Sequence, residues 1–293
     1  MAALALGGTH YPWGSATIAW LAAGGAAMLV LFARQERRER EPLIPLGLFR
    51  NAAFSLATGA GFVVNLARWS PIVYLPLYLQ AVHGISPTGS GLRLVPMMVG
   101  VVVSSVVSGR LISRRGHCKV FPVVGTALTT IGLYLLSGLD AQTTGLEFSF
   151  FTVIVGLGLG MVMQVLVLVV QNAVGRDQLG VATSSATFVR ALGGAVGVAI
   201  FGAVFANRFA YWTARLVTGE VLGGRDADSL VRAGPDQLLA LPPAVHVGIA
   251  EAYARSLQTV FLCAVPFAAL AFLITLCSRE QRLGEDWERV VPT

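Results

Sequence analysis

The chain has 293 residues, of which 55% are hydrophobic and only 12% are charged. Soluble domains devote about a quarter of their residues to charge, so this composition excludes an ordinary soluble domain and indicates a membrane protein. The net charge is +6, but most of the arginines stand in short clusters between apolar segments, as in cytoplasmic loops, and not on a nucleic-acid-binding surface.

Seven apolar segments are long enough to cross a bilayer, which takes about 20 helical residues. The second segment contains Arg68 and Pro71, which favours a single tilted or kinked helix. The sequence therefore predicts an all-α polytopic membrane protein with about seven transmembrane helices. In chain order the segments are 15–32, 54–79, 92–108, 120–139, 148–170, 187–205 and 257–277.

Basic residues are distributed unequally between the two sides of these segments. They are concentrated in the loops 33–50 and 109–119, with others at Arg176 and in the C-terminal tail. The opposite side has fewer, and most of them surround one long loop, which carries little weight in setting orientation. We therefore expect a multi-pass protein of the cell membrane, with its N-terminus outside and its C-terminus in the cytoplasm.

A basic signature, SGRLISRRGHCK, follows the third segment. Its first glycine would let two helices approach, its second would allow a tight turn, and its basic side chains would contact helix ends or acidic partners. An ordinary positively charged loop would give the same pattern. The residues assigned to this signature or to gating are Gly109, Arg110, Arg114, Arg115, Gly116, Lys119 and the more distant Arg190.

Two pairs of glycines lie four residues apart within otherwise bulky apolar segments. They are Gly156 with Gly160 and Gly193 with Gly197. Such pairs allow membrane helices to pack backbone against backbone. We therefore expect close helix contacts at all four positions.

Polar side chains within the apolar segments mark a candidate substrate cavity, because they are costly in hydrocarbon. For the amides, hydrogen bonds between helices are the preferred interpretation, and a cavity role is the alternative. Arg68 is costlier and could face a cavity, extend its head group to the membrane surface, or pair with a part of the protein outside this chain. The cavity candidates are Asn65, Arg68, Trp69, Gln164, Gln171 and Asn172.

No Asp or Glu lies within the predicted segments, and Glu147 stands only at the edge of the fifth. Proton antiport needs an embedded carboxylate whose pKa can move across the working pH, so we expect no proton-coupled export by this chain alone. The segments also contain no nucleophile–base pair and no cluster of metal ligands. The chain is therefore predicted not to be an enzyme and to need no metal or cofactor.

The basic signature resembles the loop signature of the major facilitator superfamily, although Ser113 stands where that pattern prefers Asp. Residues 156–205 resemble helices of its 14-helix drug:proton antiporter branch (EmrB/QacA-type), and so do residues 41–51 and 74–96. The resemblance covers almost the whole chain. It implies that the chain corresponds to the C-terminal half of such a transporter, and that a further segment precedes Met1.

The resemblance also implies a division of the chain. Residues 1–50 would form a linker transmembrane helix with a basic cytoplasmic loop. Residues 51–293 would form a six-helix half, built as an inverted repeat of three helices plus three. Within that half we expect an external loop at about 206–253, with helical sequence from residue 244 onward, and a cytoplasmic tail at 278–293.

The implied function is multidrug efflux of small hydrophobic or cationic compounds, by proton-coupled antiport with alternating access. The implied partners are the lipid bilayer, the substrate, and either a missing N-terminal half or a second copy, with no role for nucleic acid. The alternative is a truncated, non-transporting fragment or assembly partner that needs a separate N-terminal half.

Overall fold

The computed structural model describes residues 16–36, 46–116, 118–140, 142–216 and 243–278, and no β-strand occurs among them. Seven long α-helices match the seven predicted segments. In chain order the helices are α1 (Ala16–Glu36), α2 (Ala52–Ala81), the short α3 (Pro87–Arg93), α4 (Val95–Arg115), α5 (Val120–Leu136), α6 (Gly145–Asn172), α7 (Leu179–Leu216) and α8 (Pro243–Cys277), with 3-10 turns at Leu46–Arg50 and Arg176–Gln178.

Among the described residues, four helical segments are individually long and apolar enough to cross a membrane: residues 87–114, 145–172, 179–216 and 247–277. The α5 helix is apolar but has only 17 residues. The α2 helix is one continuous helix of 30 residues, with Pro71 and Pro76 inside it. The long apolar helices and the all-helical fold agree with the predicted class.

Local sequence explains where several helices begin and end. Asn51 caps α2, because its Oδ1 accepts a hydrogen bond from the Ala53 amide at 2.9 Å. Thr144 and Glu147 form a reciprocal capping box at the start of α6, so this carboxylate serves as a helix cap. Gly116 ends α4 with φ 72°, in the left-handed region that glycine adopts at little cost.

The six helices α2 and α4 to α8 pack as two interlocked groups of three. The first group is α2, α4 and α5, and the second is α6, α7 and α8. The α4 helix packs on α6 as α7 packs on α2, and α5 packs on α6 as α8 packs on α2. Exchanging the two groups reproduces these four contacts, as expected for an inverted repeat. The packing of α8 on α7 has no counterpart of similar extent between α5 and α4.

The α1 helix is more exposed than these six. Every side chain of α1 that the structure describes is exposed, and Trp20, Met28 and Leu31 are examples. An apolar helix with this exposure suits a lipid environment or a further packing partner. Its role as a linker helix stays a prediction.

Backbone meets backbone where the two groups of three helices touch. At Gly156 and Gly160 of α6, an added Cβ would collide with carbonyl oxygens of α4. At Gly193 and Gly197 of α7, it would collide with carbonyl oxygens of α2. The four carbonyl groups belong, in the same order, to Met97, Val101, Phe62 and Leu66.

The turns between helices lie alternately at two ends of the bundle. At the first, called the Asp140 end, the Tyr78 hydroxyl donates to the Asp140 carbonyl, and Gln258 Nε2 donates to the Leu139 carbonyl at 2.7 Å. At the second, called the Lys119 end, Asn51 Nδ2 donates to the Ala173 carbonyl at 2.8 Å. The predicted orientation places the Asp140 end outside the cell.

Two helices extend well beyond the predicted apolar segments, because polar and aromatic contacts continue past the apolar stretch. The α7 helix runs on to Leu216 and α8 begins at Pro243, so the loop expected at about 206–253 is helical at both of its ends. The ring centroids of Phe209 and Tyr253 are 4.4 Å apart between these two helices. Residues 217–242 and the tail after residue 278 lie outside the described residues.

Candidate functional site

A pocket of about 410 Å³ lies between α2 and α7. Arg68, one of its residues, is about 24 Å along α2 from Ala52, at 1.5 Å per residue, so the pocket lies near the middle of that helix. The pocket combines amide, indole, hydroxyl and guanidinium groups with small apolar side chains. It is lined by Asn65, Arg68 and Trp69 of α2 and by Thr187, Arg190, Ala191, Gly194, Ala195 and Val198 of α7.

Hydrogen bonds fix the polar groups of this pocket. Asn65 is buried, and its Nδ2 donates to the Arg190 carbonyl oxygen at 2.7 Å. Arg190 Nη2 donates to Thr187 Oγ1 at 3.3 Å. Arg68 Nη1 lies 3.8 Å from Met163 Sδ, a weak acceptor. The pocket lining contains no Asp or Glu, and neither arginine forms an ion pair within the described part of the chain.

Gly194 allows the α2 side chains to lie against the backbone of α7. A Cβ at this position would come within 2.7 Å of Asn65 Nδ2 and 2.8 Å of Trp69 Cδ1. Both distances are shorter than van der Waals contact allows, so the present positions of the amide and the indole require a glycine here.

A wider groove of about 880 Å³ continues from the pocket toward the Lys119 end, and the two share Thr187 and Ala191. The end of α6 and the first turns of α7 form it, and Gln171 and Asn172 contribute the amides. Asn172 Nδ2 is buried and has no hydrogen-bond partner among the described residues. Gln164 is exposed and lines neither the pocket nor the groove.

The basic signature lies at the Lys119 end, on α4 and the turn that follows it. Arg110 and Arg114 are exposed, and the Arg115 side chain lies outside the described residues. A Cβ at Gly109 would meet no atom within 4 Å. The helix approach expected at Gly109 is therefore not found in the part of the chain that the structure describes.

Two other predicted residues have surroundings that the sequence did not indicate. Lys119 is half-buried and lines a separate, mostly apolar pocket of about 250 Å³ between α2, α5, α6 and α8. Arg190, which the sequence groups with the basic signature, lies with Arg68 in the pocket between α2 and α7.

Sequence reasoning missed the small apolar residues of the lining, and it also missed Thr187, Gly194 and the neighbouring Met163. Thr187 lies one helical turn before Arg190, which is a usable signal for a hydrogen-bonding partner. Gly194 follows Gly193 in the sequence. The spacing of Gly193 and Gly197 indicated close helix packing, and it did not indicate a role for Gly194 in a pocket. Met163 carries no signal, because a methionine in an apolar helix is usually a packing residue.

Comparisons with a family sequence pattern and with individual proteins indicate the same family. The sequence pattern of the Major Facilitator Superfamily matches residues 1–198. The uncharacterized MFS-type transporter Rv1877 of Mycobacterium tuberculosis is 40% identical over 95% of this chain and 40% of its own length. The multidrug transporter protein MdtP of Bacillus subtilis is 34% identical over 70% of this chain and 38% of its own length.

A further relative is the tetracycline resistance determinant of Streptomyces rimosus, 33% identical over 68% of this chain and 58% of its own length. The chain thus spans between 38% and 58% of the length of the latter two relatives. The names describe transporters and a resistance determinant, which agrees with the prediction that the chain is not an enzyme.

Proposed function

The chain belongs to the major facilitator superfamily, and from this premise we propose that it forms one cavity wall of an efflux transporter in the cell membrane. The proposed cargo is small hydrophobic compounds, exported in exchange for protons while the cavity opens alternately to the two sides. We further propose that the chain corresponds to the C-terminal half of a 14-helix drug:proton antiporter. The three-plus-three packing of α2 and α4 to α8, with the exposed α1 in addition, supports this correspondence.

The observation that carries the proposal is the polar strip formed by the pocket and the groove. It runs from Arg68, near the middle of α2, to Gln171 and Asn172 at the end of α6. Polar groups near the middle of a membrane helix, such as Arg68, are costly in lipid and are usually found facing a cavity or a neighbouring helix. A path for small molecules along this face would account for them.

The names of the relatives support a drug-like cargo. One is called a multidrug transporter, one a tetracycline resistance determinant and another the efflux pump bfoC of Aspergillus brasiliensis. The family resemblance also implies cationic compounds. The pocket does not support a cationic cargo, since its charged side chains are both arginines and would repel a cation.

Proton coupling requires a carboxylate that the pocket and groove do not contain. In this proposal the coupling acid comes from residues outside the described part of the chain or from a second polypeptide. The same observation, with the partial coverage of the relatives, favours a second candidate function. In that case the chain is an assembly partner that transports only with a separate N-terminal half or a second copy.

Deleting the coding region in the source organism tests the proposed export function. Steady-state accumulation of at least one fluorescent hydrophobic compound should rise in the deleted cells and return to normal on re-expression. The difference between strains should vanish when an uncoupler collapses the proton gradient. Unchanged accumulation of every compound in a broad panel would contradict the proposal.

Reconstitution of the purified chain in vesicles separates the two candidates. With an inside-acid gradient and a neutral hydrophobic fluorophore, the assembly-partner candidate predicts no gradient-dependent uptake by the chain alone, because no proton-carrying acid lies in its pocket. Uptake that collapses with the gradient, without a second polypeptide, would show that the chain is a complete transporter.

A further inference from the structure

Two guanidinium groups share the pocket between α2 and α7, and no acidic side chain of the described residues pairs with either of them. Arg68 contacts the neutral Met163 thioether, and Arg190 contacts the neutral Thr187 hydroxyl. Each guanidinium has several N–H donors, so these contacts leave most of the donors of both residues without a protein acceptor. No Asp or Glu lines the pocket.

Like charges at this depth repel each other and are poorly solvated by lipid, so a bound anion would stabilise the pair strongly. A planar guanidinium matches a carboxylate or another oxyanion with two parallel hydrogen bonds. An amphipathic cation would meet repulsion from both arginines in the same pocket.

The remainder of the lining is suited to an apolar body. Trp69 contributes an indole, and Ala191, Ala195 and Val198 contribute small apolar surfaces. A volume of about 410 Å³ lies within the usual range of small-molecule sites. An inorganic anion would leave this apolar surface unused, whereas an aromatic acid would cover it.

We propose that Arg68 and Arg190 bind the acidic group of an amphipathic organic anion, whose apolar part packs against Trp69. This inference rests on the proposed export function for its meaning, since it names the charge class of the cargo. Anion binding itself is measured without transport, so a failure of the export function and a failure of this site give different results.

The test compares two probes of similar shape and opposite charge on the purified full chain in lipid nanodiscs. The probes are 2-naphthoate and 2-naphthyltrimethylammonium, with affinity measured by calorimetry. Wild-type chain should bind 2-naphthoate more tightly than the cation. Arg68→Gln and Arg190→Gln should each weaken 2-naphthoate binding by about tenfold or more, because a hydrogen bond to an ion is much stronger than a neutral one.

Control variants keep the interpretation specific. Arg208→Gln removes an exposed arginine near the other end of α7 and should leave binding of both probes unchanged. Arg68→Lys retains the charge and should recover part of the affinity lost in Arg68→Gln. A thermal unfolding midpoint in nanodiscs close to that of the wild-type chain shows that each glutamine variant has folded.

Three results would overturn the proposal. One is no measurable 2-naphthoate binding by the wild-type chain, as expected if an acidic side chain from elsewhere already neutralises the two arginines. Another is 2-naphthoate binding that neither glutamine variant weakens, which would place the anion elsewhere. The third is tighter binding of the cation than of the anion by the wild-type chain.

Discussion

Asn65 is the side chain that joins the two walls of the pocket. Its amide lies on α2 and bonds the backbone of α7 at Arg190, so one residue fixes the spacing of the helices and the place of a charged neighbour. The carbonyl it contacts lies within the continuous helix α7, and the amide therefore adds a bond between helices and does not replace one within a helix.

Replacing Asn65 with Ala should destabilise the folded chain by about 0.6 to 1.7 kcal/mol, which are the average and the maximum measured for hydrogen bonds between membrane helices. The free energy of unfolding in bicelles is the measurement. Gln164→Ala removes an exposed amide on α6 and should have a smaller effect. Equal effects of the two substitutions would mean that the bond from Asn65 contributes nothing specific.

His83 gives the Asp140 end a dependence on pH. It follows the end of α2, and its Nε2 lies 3.1 Å from the Tyr78 hydroxyl. Burial, and secondarily the charge of Arg93, lower the pKa of His83 below its ordinary value, although Asp140 acts in the opposite direction. The folded chain therefore resists protonation of this imidazole.

Because the pKa of His83 is lower when folded, the unfolded chain binds more protons below about pH 6.5. Stability should therefore fall as the pH decreases from about 6.5 through the folded pKa, and His83→Gln should reduce this loss. Thermal unfolding midpoints at a series of pH values provide the measurement. A pH dependence identical to that of the wild-type chain would show that His83 does not cause it.

At the scale of elements, α7 is the helix whose glycines face several neighbours. Gly193 and Gly197 face the backbone of α2, Gly194 faces side chains of the pocket, and Gly202 has only one atom in ordinary contact range, the Tyr74 hydroxyl at 3.8 Å. The helix therefore offers a matched comparison of crowded and open glycines on one element.

Gly193→Ala should destabilise the chain by about 1–3 kcal/mol, since its Cβ would overlap the Phe62 carbonyl and force α2 and α7 apart. Gly202→Ala should be neutral or slightly stabilising, because alanine favours a helix over glycine. Unfolding free energies of both variants under one condition test the difference. If both glycines tolerate alanine equally, the close contact is not important for stability.

The elements could largely be predicted from the sequence because apolar length alone identifies a membrane helix. The extension of α7 to Leu216 could not, since contacts such as Arg255 over the Trp212 ring, 4.6 Å from its centroid, extend a helix beyond its apolar stretch. The candidate pocket was partly predictable from Asn65, Arg68 and Trp69, which are conspicuous in an apolar segment. That Arg190 would lie beside them depends on the rotation of α7 about its axis, which composition does not specify.

At the scale of the whole molecule, the unequal distribution of basic residues predicts the orientation in the membrane, and two exposed positions can test it. Gln142 lies in the turn at the Asp140 end, and Ser113 lies near the end of α4 at the Lys119 end. The native cysteines Cys118, Cys263 and Cys277 would first be replaced by alanine.

In intact cells, a membrane-impermeant thiol reagent should label Gln142→Cys and should fail to label Ser113→Cys, because the basic loops are held in the cytoplasm. After permeabilisation both positions should react, which confirms that each cysteine is accessible. Labelling of Ser113→Cys alone in intact cells would reverse the proposed orientation.

The seam between the two groups of three helices also bears on motion. At Gly156, Gly193 and Gly197 the nearest atoms are backbone atoms of the facing helix, so no rotamer there can rearrange to accommodate sliding. At Gly160 the Ser104 side chain also lies in the contact. Such a seam fits in one register and resists shear, unlike a seam of interdigitated flexible side chains that can repack. The six helices should therefore move as one rigid body. The relative movement that opens or closes a transport path would then occur at the outer surface of the six-helix bundle, where the polar strip is found.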